Sequence, residues 1–167
     1  MGRDDRAGRG RDHLKPGESL DLPPGTNKDG LVAHLNGTSD EHGIFRSKQT
    51  GGLYVIRGTS DSMVPPSIGG GSDKLAYHNH PSGNPYISGL GKNDVGGDQP
   101  FITERNPGQR STIIGTPDGT YRNRVPPDSE LFPRTTSDGG LDYNHRVDVQ
   151  PTILGGTGPP MPPRGPK

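Results

Sequence analysis

The chain has 167 residues, equal numbers of acidic and basic side chains and no cysteine, which suits one domain with tails and excludes disulfides, thiolate metal sites and an electrostatic case for a nucleic-acid partner. Only 24% of the residues are hydrophobic, whereas 28 Gly and 19 Pro make up more than a quarter of the chain. Composition therefore predicts a small core with long irregular loops and disordered ends, leaves a largely disordered scaffold as one reading, and offers no apolar run near the roughly 18 residues of a membrane span.

Residues 1–29 mix Arg, Asp and Gly with Pro23-Pro24-Gly25 and read as a flexible, charged lead-in without the apolar stretch of a secretory leader. Leu31–Asn36 predicts one or two helical turns, with Asp29 as cap and Gly37 as stop. Gly43–Ser47 and Leu53–Arg57 predict a hairpin around Gly51-Gly52, followed by a Ser/Gly/Pro loop over 58–73. Lys74–His80 predicts a strand, which Pro81 and Gly83 should end. Residues 81–110 read as irregular. Ser111–Gly115 and Thr120–Val125 flank Pro117-Asp118-Gly119 and predict a second hairpin, because Pro presets the first turn angle and Gly accepts the positive one. Arg146–Val149 is a candidate last strand, and 134–167 reads as a flexible Pro/Gly-rich tail. The expected fold is a small α+β domain over residues 30–133, with a curved mixed or antiparallel sheet and few short helices.

The segment His78-Asn79-His80-Pro81-Ser82-Gly83 carries the chemistry. On a strand, residues 78 and 80 project from one face, so both imidazoles can converge on one ion at the rim where the strand ends. A catalytic zinc site commonly adds one carboxylate to two histidines. The candidates for that carboxylate are Asp94 first and Asp98 second. His34 and His42 read as exposed, although His42 could line the site beside Glu41. The tripeptide does not fit an HNH nuclease, whose three residues are spread over a ββα unit.

His-Asn-His-Pro-Ser-Gly resembles the motif of RadC-type proteins within the JAB/MPN (JAMM) metalloprotease superfamily. The wider order is similar to a JAMM-like domain-of-unknown-function family found as C-terminal modules of bacterial polymorphic toxins. It comprises Leu31–Asn36, Glu41-His42-Gly43-Ile44-Phe45, Leu53–Pro66, Tyr77–His80, Leu90–Asp94 and Ile114–Gly119. The resemblance covers residues 30–125. It implies zinc held by His78, His80 and Asp94, Glu41 as the proton-transfer group, and a serine donating to the oxyanion. It also implies a protein or peptide substrate, an immunity partner, and delivery as a toxin module without a classical signal peptide. The family pattern sets the serine three residues before the aspartate, but Gly91 stands there. Either Ser88 fills that role from a shifted loop, or the oxyanion donor is lost and the domain is a silent binding or phage-tail-like structural module.

Overall fold

The computed structural model describes residues 14–60, 62, 73–91, 97–106 and 108–156. Of the two ends expected to be disordered or flexible, residues 1–13 and 157–167 lie outside the described residues. The fold is small α+β: an open, mixed, seven-stranded sheet in the order β1-β3-β2-β4-β5-β6-β7. The strands are β1 (Ser19–Leu22), β2 (His42–Arg46), β3 (Leu53–Arg57), β4 (Lys74–Asn79), β5 (Ser111–Thr116), β6 (Gly119–Arg124) and β7 (Thr152–Gly156). Three short helices accompany them: α1 (Lys28–Asn36), α2 (Asp98–Arg105) and α3 (Asp128–Leu131).

The two hairpins form where alternation and turn residues place them. In β2–β3, Gly43 pairs with Ile56 and Phe45 with Tyr54; in β5–β6, Ser111 pairs with Arg124 and Thr116 with Gly119. Helix α1 starts at Asn27, whose side chain accepts the Gly30 N–H, and not at Asp29. Its Leu31 and Leu35 bury against Leu22, Ile44, Val55 and Tyr77 on one sheet face. The opposite face carries Phe45, Tyr54, Ile56, Leu75 and Ile114, covered by Ile87, Leu90, Ile102, Leu131 and Phe132. A register shift between Ile44 and Phe45 lets Leu75 join that second cluster while Tyr77 stays in the first.

Some elements depart from the sequence reading. Edge strand β1 lies within the stretch assigned to the lead-in, where pairing of Ser19–Leu22 with β3 and burial of Leu22 supply the order that composition argues against. Arg146–Val149 is irregular, and the last strand is Thr152–Gly156, which β6 recruits as an edge. The crossover from β4 to β5 contains α2, in a stretch read as irregular. Because β4 and β5 run parallel, a long connection between them is obligatory. That crossover begins at His80 and carries the chemistry.

Candidate metal centre

β4 places Tyr77 against Ile113, His78 against Ile114 and Asn79 against Gly115, and the ladder continues as the His80 N–H donates to the Gly115 carbonyl at 2.8 Å. His78 and His80 therefore share one face, as their spacing requires. The His80-Pro81-Ser82-Gly83 turn closes by a bond from the Gly83 N–H to the His80 carbonyl (3.0 Å), with Gly83 at φ +86°. This reversal brings the Asn84 carbonyl to 2.7 Å from His80 Nδ1. A carbonyl only accepts, so His80 Nδ1 carries the hydrogen, and the lone pair of the neutral ring lies on Nε2.

The third member is Asp98, at the first position of α2. Its Oδ2 lies 3.1 Å from His78 Nε2 and 3.4 Å from His80 Nε2, and the two Nε2 atoms are 3.0 Å apart. His78 is fully buried and His80 nearly so, while the Asp98 side chain keeps 17% of its surface. Tetrahedral ligands at 2.0–2.2 Å from zinc stand about 3.3–3.6 Å apart, so the triangle is slightly tight but of the right size. A hydrogen on His78 Nε2 would bond Asp98 Oδ2; without it, three lone pairs this close repel one another unless a cation sits among them. His78 Nδ1 is buried without a hydrogen-bond partner among the described residues, so Nε2 makes the polar contacts of that ring. A buried His-His-Asp group able to hold a metal ion is thus present. Asp94 lies outside the described residues.

Electrostatics follow from this packing. Burial pushes Asp98 upward, but the charges and hydrogen bonds of His78 and His80 outweigh it and hold the carboxyl well below its ordinary range. Burial pushes His80 downward, yet Asp98, the Asn84 carbonyl and the charge of Glu41 together raise it.

Glu41 stands immediately before β2, half-buried. Gly43 faces His78 across β2–β4, so the register continued outward sets Glu41 opposite His80 on the same face. Its N–H donates to the Thr59 carbonyl and its own carbonyl accepts from Gly58, each at 2.7 Å. The middle residue of the motif, Asn79, points the other way. Its Oδ1 accepts the His42 N–H at 2.6 Å, and its Nδ2 donates to Thr38 Oγ1 and the Asp40 carbonyl, both at 3.1 Å. Asn79 thereby anchors the residues on both sides of Glu41. His42, expected to be exposed, is buried, with Nδ1 3.0 Å from the Asp40 carbonyl. It neighbours Asn79 in the register, whose face turns away from His78 and His80.

Ser88 adjoins the group through Asp98. The Ser88 N–H donates to Asp98 Oδ2 (3.1 Å), the Asp98 N–H donates to Ser88 Oγ (2.9 Å), and the Gln99 N–H donates to the Ser88 carbonyl (3.0 Å). The stretch before it is held by buried Asn123 of β6, which bonds the Pro85 carbonyl and the Ile87 N–H. A serine ten residues before an aspartate leaves no local signal in sequence. Only the pairing of Gly89 with Gly97, two glycines flanking the intervening stretch, hints at it. No protein-family model, curated protein or solved structure matches this chain.

Proposed function

We propose that this chain is a zinc-dependent hydrolase of JAMM type that cleaves a peptide or isopeptide bond, with His78, His80 and Asp98 as the metal ligands. The observation that carries the reading is the convergence of these three ligand atoms on one buried point, with Glu41 entering on the same sheet face. Two imidazoles and a carboxylate without sulfur suit zinc and leave room for a further ligand. When bound, zinc supplies Lewis acidity, polarising a carbonyl and making water a nucleophile near neutral pH. Glu41 takes the proton from the attacking water and returns one to the leaving amine. The Asn84 carbonyl holds the His80 imidazole in its ligating orientation. Ser88 Oγ accepts from the Asp98 N–H, which leaves the hydroxyl hydrogen to donate to the developing oxyanion.

The order of short motifs along residues 30–125 extends the proposal to a bacterial toxin or effector module, with a protein or peptide substrate and an immunity protein as partner. Among the described residues no helix is long and apolar enough to cross a membrane. A second reading, a silent metal-holding module, is favoured by one observation: Gly91 and Val95, three residues before Asp94 and Asp98, both lack the hydroxyl of the family pattern.

Elemental analysis and peptide hydrolysis test both readings. Wild type should carry about one zinc per chain, His78→Ala/His80→Ala none, and Glu41→Gln should keep the zinc while losing roughly 10²–10⁴-fold in turnover. A wild type without stoichiometric zinc refutes the hydrolase. Zinc without hydrolysis of any peptide or isopeptide supports the silent module.

A further inference from the structure

Asp98 follows Ser88 by ten positions, yet the two residues exchange hydrogen bonds as chain neighbours would. The reason is visible in the two glycines beside them. A Cβ on Gly97 would fall 2.5 Å from the Gly89 Cα and 2.6 Å from its nitrogen. With a Cα–Cβ bond of about 1.5 Å, the two Cα atoms are no more than about 4.0 Å apart, close to the 3.8 Å between consecutive residues. The backbones of the two segments therefore touch at Gly89 and Gly97.

We infer that the Gly89–Gly97 contact is the device that positions Asp98 among the histidines. The requirement for glycine differs at the two positions. Gly89 has φ +81°, and a Cβ there would meet Pro100 Cδ at 2.5 Å and the Gly97 Cα at 2.9 Å. Gly97 has φ −79°, which any residue adopts, so its need for glycine comes from the contact alone. Moving a Cβ from 2.5 Å to ordinary van der Waals distance displaces one segment by about 1 Å, several times the roughly 0.2 Å tolerance of a metal–ligand distance. Since Asp98 is the next residue, its carboxylate moves with Gly97. The side chains of His78 and His80, held by β4 and the 80–83 turn, do not.

The inference rests on the zinc reading for one of its two readouts only. Zinc affinity, by competition with a chelator, and amide hydrogen exchange at Ser88 and Asp98 in metal-free protein are measured on four chains: wild type, Gly97→Ala, Gly89→Ala and Gly108→Ala. Gly108 has nothing within 4 Å of a Cβ and serves as the control. Gly97→Ala should lose at least about tenfold in zinc affinity, on the scale of disturbing a group that orients a ligand, together with the slow exchange of both amides. Gly108→Ala should match wild type. Gly89→Ala, whose Cβ would meet the Gly97 Cα from the other side, should show the same losses. A folded Gly97→Ala or Gly89→Ala with wild-type affinity and protection overturns the inference. If one of them fails to fold, the other decides by the same criteria. A wild type that binds no zinc yet protects both amides refutes the metal reading alone, and the exchange comparison still judges the contact.

Discussion

Replacing Asn79 with Ala separates the motif's scaffold from its ligands. The substitution strands the His42 N–H, now bonded at 2.6 Å in the interior, and removes two donors from Thr38 Oγ1 and the Asp40 carbonyl. An orphaned buried donor costs about 1–3 kcal/mol, and each lost bond to a half-buried acceptor adds roughly 0.5–1 kcal/mol, for a total of about 2–5 kcal/mol. In a fold of this size 1 kcal/mol moves Tm by about 3–4 °C, so the melting temperature should fall by roughly 10 °C. Because Asn79 faces away from the metal group, zinc stoichiometry should survive. Glu41, whose two neighbours Asn79 anchors, should lose its alignment, so turnover at saturating zinc should drop more than zinc affinity does. Asn79→Asp retains the acceptor for His42 but buries a carboxylate oxygen against the Asp40 carbonyl, so it should be no more stable than Ala. Melting curves with and without zinc, chelator competition and peptide hydrolysis measure all three. A Tm within about 2 °C of wild type, or zinc loss equal to that of His78→Ala, would show that Asn79 does not hold the Glu41 segment as argued.

Asp98→Asn should lower zinc affinity by at least about 10²-fold, since it removes a charged ligand, whereas Asp94→Asn should leave it near wild type; the reverse pattern in chelator competition returns the third ligand to Asp94. The pH dependence follows from the raised His80 and depressed Asp98. The His80 contribution to stability is complete below about pH 6.5 and is lost as pH rises through its raised value, while that of Asp98 is present above about pH 4 and is lost as pH falls through its depressed value. Metal-free protein should therefore gain most from the site between about pH 4 and 6.5. Zinc, which needs neutral imidazole, should bind more weakly as pH falls through the His80 value, and an affinity flat from pH 8 to 5.5 would contradict this. Gly115→Ala should destabilise by about 1–3 kcal/mol, because a Cβ there would fall 1.7 Å from Asn36 Oδ1 and 2.5 Å from the Tyr77 hydroxyl; an unchanged urea midpoint would show that Asn36 moves aside at no cost.

Local chemistry was enough, in the sequence alone, for what depends on neighbours along the chain. Alternation in Leu53–Arg57 and around Pro117-Asp118-Gly119 specified two hairpins, and the two-residue spacing of His78 and His80 put both rings on one face. It did not identify Ser19–Leu22 or Thr152–Gly156 as strands, because an edge strand draws its order from the partner it pairs with, here β3 and β6. His42 was misread for a similar reason: its burial comes from Asn79 and the Asp40 carbonyl folding over it. The carboxylate of the metal group was the hardest to read. Sequence distance favoured Asp94, but the hydrogen bonds between Ser88 and Asp98 and the Gly89–Gly97 approach bring a residue ten positions beyond Ser88 into the group. A ligand set is defined by distances of a few ångströms between side-chain atoms, and where the acid stands far along the chain from the histidines, only tertiary closure determines which acid arrives.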